Sequence, residues 1–196
     1  LATLIKTLEA FLPREFGVTF MNADPKGNAL LELMKTQLFT ADKPESAHLI
    51  KTDFEGEMYQ TYVRHGHEVR LPRPFTYRLN SAAAPDSACH VVFYDNAGEH
   101  FEPNVSISNN PGALHIATSK AIFFLFDPTY NENFRKRLEG HHDPQLRSRK
   151  LDQQDAILAE LSVRFRRILR MHATEKIKTP MAMMIGKSDT WMHLLG

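Results

Sequence analysis

Three apolar runs in this sequence each stop at polar residues able to contact a ligand. Val91-Val92-Phe93-Tyr94 runs into Asp95-Asn96-Ala97-Gly98-Glu99-His100-Phe101. Ile122-Phe123-Phe124-Leu125-Phe126 runs into Asp127-Pro128-Thr129, and Met181-Ala182-Met183-Met184-Ile185 into Gly186-Lys187-Ser188-Asp189. A carboxylate such as Asp95 suits a hard dication, and a glycine such as Gly98 lets the backbone approach an anionic group closely. The competing account is that Asp, Asn and Gly simply favour the turn leaving a strand. For Asp95 and Gly98 taken alone, both accounts stand. Asp127-Pro128 reads as a helix start, because proline is favoured in a first turn. Gly186-Lys187-Ser188 matches the tail of a Gly-x4-Gly-Lys-(Ser/Thr) phosphate loop, but that loop requires glycine where Met181 stands.

Other clusters read more plainly. His65-Gly66-His67 and His141-His142-Asp143 lack helical spacing and a third ligand, so they read as surface histidines rather than a metal site. Arg164, Arg166, Arg167 and Arg170 alternate with an apolar stripe and read as a solvated helix face. Met181, Met183 and Met184 read as core filling. Trp191 is placed either to cap a base pocket or to pack the next helix.

The elements that must position these groups follow from hydrophobic periodicity. Residues 1–12 carry a one-face helical pattern that Pro13 is expected to end. Residues 16–21 read as a strand, and 29–39 as a helix. The polar stretch 40–72 is expected to be an irregular, switch-like loop. Residues 75–79 and 91–94 are close enough to pair antiparallel. Residues 121–126 and 180–185 are apolar throughout, as in strands covered on both faces. Residues 131–150 form a polar insertion, and 151–171 the clearest amphipathic helix. Helices alternating with fully apolar strands predict a three-layer α/β/α fold, with a mostly parallel sheet and one antiparallel strand pair. In open sheets of that kind ligands bind beyond the carboxyl ends of the strands.

The 196 residues fit one α/β domain, with 42% apolar and 24% charged residues. A formal net charge of +1 gives no global field toward nucleic acid or an anionic membrane. No segment reaches the roughly 18 apolar residues that a membrane helix needs. The single cysteine, Cys89, excludes an internal disulfide and fits a reducing, cytoplasmic setting. The chain opens inside a helical pattern without an initiator Met, and reads as a fragment of a longer protein.

The run through Asp-Asn-Ala-Gly-Glu-His-Phe resembles the third signature of Ras-like, TRAFAC-class P-loop GTPases, an apolar strand ending in Asp-x-x-Gly. The resemblance implies that Asp95 holds Mg²⁺ through water and that the Gly98 amide meets the γ-phosphate of GTP. Residues 179–189 resemble the fourth signature, a strand followed by (Asn/Thr)-Lys-x-Asp. There the resemblance implies that Asp189 accepts hydrogen bonds from the guanine edge while the Lys187 stem lies along the ring. Gly186 departs from the Asn or Thr of the pattern and removes one orienting side chain. The Phe126-Asp127-Pro128 strand end resembles GTPase-like domains of the bacterial double-GTPase type.

The resemblance spans residues 75–195. It implies that residues 1–12 are the helix after the phosphate-binding loop, with that loop before Leu1 and the fifth signature after Gly196. Ras-like proteins orient the attacking water with a Gln where this chain has Glu99, and His100 follows, so these two are the candidate catalytic residues. Thr61 and Thr76 are candidates for the second-signature Thr, and neither is assigned. The expected function is a guanine-nucleotide-binding switch using GTP/GDP and Mg²⁺, with slow or partner-dependent hydrolysis. Its partners would be proteins or other domains of the same polypeptide, with no nucleic acid and no membrane. Two alternatives stay open: a degenerate scaffold that binds no nucleotide, and an ATP-using relative.

Overall fold

A computed structural model describes residues 1–40, 56–64, 66–96, 112–141, 146 and 154–195. The chain divides into two compact units, Leu1–Ala97 and Gly98–Gly196.

In the first unit, α1 (Ala2–Phe16) leads to β1 (Val18–Asn22) and α2 (Ala29–Phe39). Pro13 does not end α1. The helix runs one turn further and stops at Gly17, whose left-handed φ of 62° suits a residue without Cβ. A hairpin of β2 (Tyr59–Arg64) and β3 (His67–Pro72) forms at the end of the 40–72 stretch expected to be irregular, of which residues 41–55 lie outside the described residues. β4 (Pro74–Ser81) and β5 (Ala84–Tyr94) follow, joined by a tight turn and paired antiparallel, as their spacing predicts. β1 pairs antiparallel with the other edge of β4, so the sheet order is β1-β4-β5.

This sheet buries one face. Phe20, Phe75 and Tyr77 point into a core with Ala2, Ile5 and Leu31, and Phe20 stacks on Tyr77 at 4.6 Å. Met58 and Tyr59 of the hairpin region join the same core. Alternation of buried and open positions along β4 is the pattern of a half-covered antiparallel sheet.

Polar groups are buried here too. Asn28 is fully buried and Lys35 nearly so. The Lys35 ammonium pairs with Glu9 at 2.5 Å and with Glu32 at 2.8 Å. Tyr77 and Asn22 both donate to Glu32 Oε1. One charged cluster therefore ties α1 and α2 to β1 and β4.

In the second unit, α3 (Gly112–Thr118) precedes β6 (Ile122–Phe126). α4 (Glu132–Lys136), α5 (Gln154–Leu169), β7 (Met181–Ile185) and α6 (Ser188–Trp191) complete it. β6 and β7 pair in parallel, and α5 makes the crossover between them. Ile116, Ala117, Leu161 and Phe165 form the core, with Ile122, Ile157 and Ile168 packed on it.

The expected three-layer fold with a mostly parallel sheet does not form. Among the described residues the strands make two antiparallel sheets and a single parallel pair. The physical reason lies in the connections: β2–β3 and β4–β5 are joined by turns too short for a crossover, which forces antiparallel pairing. β6 and β7, by contrast, are separated by α5 and pair in parallel. Two smaller expectations also fail. Arg164 is 1% exposed, lying inside rather than on a solvated face, and its Nε donates to Glu160 at 2.7 Å. Met181 and Met183 are about half exposed instead of filling a core, as are Phe123 and Ile185.

Candidate functional site

The end of β7 carries a tightly held turn. The Gly186 N–H donates to Phe126 O at 2.8 Å, which extends the β6–β7 ladder one step past the strands. A Cβ at position 186 would lie 3.2 Å from Leu125 Cδ1, so a larger residue there would have to displace that side chain. Lys187 then takes φ 57°, ψ 31°, a left-handed conformation uncommon for a residue with a Cβ, as does Arg170 at φ 54°.

Support for Lys187 comes from the residues just beyond. Thr190, fully buried, donates to Lys187 O from both its backbone N–H (2.9 Å) and its hydroxyl (2.7 Å). The Trp191 indole N–H donates to Gly186 O at 2.9 Å, and the indole ring meets Phe134 of α4 edge-on at 6.5 Å. Trp191 therefore packs back on α4, not on the next helix as expected. The turn leaves Lys187 half-buried and Asp189 exposed in the first turn of α6.

At the end of β6, Asp127 acts as the turn residue its sequence suggests. Its Oδ1 accepts from Thr129 N at 2.9 Å and from Thr129 Oγ1 at 2.7 Å. Gln154 brackets the Asp127 backbone, accepting from its N–H and donating to its carbonyl. A cavity of about 380 Å³ opens beside this strand end, lined by Phe126, Asp127, Tyr130, Asn131, Gln154 and Asp155. A second cavity of about 470 Å³ lies along α4 and the turn after it, around Arg135, Leu138 and His141.

Asp95 stands just past β5, half-buried, at the end of a strand in the antiparallel sheet. Lys187 and Asp189 follow a strand of the parallel pair. The three polar strand exits were expected on one rim. Two of them, at Asp127 and at residues 186–189, do share a sheet, whereas Asp95 belongs to another. Gly98, Glu99 and His100 lie outside the described residues. Of the two threonine candidates, Thr61 is exposed in β2, and the backbone of Thr76 is engaged by Asn28.

Among the described residues no three His, Cys, Asp or Glu side chains converge as a metal cluster. His141 stacks on His193 at 6.1 Å. Among the described residues no helix is long and apolar enough to cross a membrane.

What sequence reasoning missed is the support of the turn: Trp191 and Thr190 reaching back to the carbonyls of Gly186 and Lys187. The signal was present, since a hydroxyl and an N–H donor stand one and two residues after Asp189, where a short helix returns them to its own start. Searches with family models, against curated proteins and against solved structures find no match to this chain.

Proposed function

We propose that this chain is a guanine-nucleotide-binding switch domain, with slow or partner-dependent GTP hydrolysis. The observation that carries the reading is the turn after β7. A parallel strand–helix–strand crossover ends in a lysine held left-handed, with an exposed carboxylate two residues on. A carboxylate offered there can accept from the two adjacent N–H donors on the edge of guanine, while the lysine stem covers the ring. In this reading Asp95 holds Mg²⁺ through water, Gly98 meets the γ-phosphate, and Glu99 and His100 stand where the attacking water is oriented.

Titration calorimetry with GTP, GDP and ATP in the presence of Mg²⁺ tests the proposal. Guanine nucleotides are expected to bind more tightly than ATP, and equal affinities would remove Asp189 from the base site. Asp189→Asn should move preference toward xanthine nucleotides, because an amide presents one donor and one acceptor to the donor–acceptor edge of that base. A variant with unchanged preference would mean that Asp189 does not touch the base.

One observation favours a second reading, that of a scaffold for protein contacts that binds no nucleotide. Asp95 follows a strand of one sheet and Asp189 a strand of another. Absence of any heat with all three nucleotides, in a chain that remains folded, is the outcome this second reading expects.

A further inference from the structure

The structure assigns Trp191 a positioning role at the proposed base site, a role that rests on the nucleotide reading above. The turn lacks the orienting side chain that an Asn or Thr at position 186 would supply, and the space there is restricted by Leu125. Orientation comes instead from behind the turn. The indole N–H holds Gly186 O at 2.9 Å, Thr190 holds Lys187 O with two donors, and between these carbonyls the Lys187 backbone is kept left-handed.

A lysine released from that conformation would relax toward negative φ, which reverses the direction in which its stem leaves the turn. Lys187 and Asp189 would then no longer face a common ligand. Trp191 thus acts through Gly186 and Lys187 without touching the base. Phe134 fixes the ring from α4, so the same contact links the base site to that short helix.

The test compares Trp191→Phe, which keeps an aromatic ring but removes the N–H, with Phe134→Leu, which keeps the N–H but removes the edge contact. The one-bond Cα–Hα coupling of Lys187, which is lowest in the left-handed region, reports whether that conformation holds, and calorimetry with GDP and ADP reads base preference. Trp191→Phe is expected to shift the Lys187 coupling, weaken GDP binding roughly three- to tenfold, and narrow the GDP-over-ADP preference. Phe134→Leu should leave the coupling unchanged. A left-handed Lys187 persisting in Trp191→Phe would overturn the inference whatever the nucleotide data. Release of Lys187 with unaltered GDP affinity and preference would overturn it as well. An unsubstituted chain that binds neither nucleotide would instead overturn the function, with the coupling still deciding whether the indole holds the turn.

Discussion

Asn28 and Thr76, 48 residues apart in the chain, are joined by a reciprocal pair of hydrogen bonds. Asn28 Nδ2 donates to Thr76 O at 2.8 Å, and Thr76 N donates to Asn28 Oδ1 at 3.0 Å. The amide does for β4 what another strand would do, and it does so from the residue that opens α2. Asn28→Ala should leave the Thr76 N–H without its acceptor and cost about 1–3 kcal/mol, read from the denaturant midpoint. A loss well under that range would mean that water reaches β4 at this point.

The Lys35 cluster predicts how stability falls at high pH. Burial by itself would lower the Lys35 pKa, but hydrogen bonds and charge from Glu32 and Glu9 outweigh it and raise the value. Burial first, and then Glu32 beside it, push the Tyr77 hydroxyl well above its ordinary range. Both groups hold their protons more tightly folded than unfolded. Their contribution is therefore complete below about pH 10 and is lost as pH rises above it. Urea midpoints measured from pH 8 to 11.5 should decline steeply at the alkaline end. Tyr77→Phe should flatten that decline by removing one of the two titrations.

Lys35→Met leaves Glu9 and Glu32 facing each other without a cation. Both carboxylates keep partial access to water, 27% and 36%, so the cost is expected at roughly 1–3 kcal/mol, below that of a fully buried broken pair. Thermal melts at low and high salt would check this. The variant should recover part of its loss in salt, where carboxylate repulsion is screened.

Asp95→Asn tests the proposed Mg²⁺ contact. The variant should lose about tenfold in GTP affinity with Mg²⁺ present and little in its absence, because an uncharged amide accepts more weakly from metal-bound water and no longer attracts the dication. Equal losses with and without the metal would assign Asp95 to the fold instead.

Glu99→Gln replaces a carboxylate beside phosphate with an amide that can orient water. Single-turnover GTP hydrolysis should rise roughly tenfold or more. No change would leave His100 as the remaining candidate for that task, and His100→Ala would then be expected to abolish turnover.

Local features were legible wherever one residue type settles a conformation. α2 falls on the boundaries its periodicity predicts, and the antiparallel pairing of β4 with β5 follows from their short separation. Asp127 caps its own turn as Asp-Pro sequences do. Arg164 was misread, because its helix stripe shows which face is apolar but not how wide a face the neighbours cover. Pro13 was misread as a stop. Its missing N–H removes one hydrogen bond from α1, and packing of Leu8 and Leu12 on the core accompanies the extra turn.

The sequence by itself determined α1, α2 and α5, the apolar strands β6 and β7 and the polar residues that follow them, since these depend on spacing along a few turns of chain. Which strands share a sheet was decided only by tertiary structure. Apolar runs such as 91–94 and 122–126 are nearly alike in composition, yet one sits in an antiparallel sheet and the other in a parallel pair. Pairing depends on connection length and on what each face meets, and neither is written in the run itself. The left-handed Lys187 belongs to the same class: it exists because Thr190 and Trp191 hold the carbonyls on either side of it.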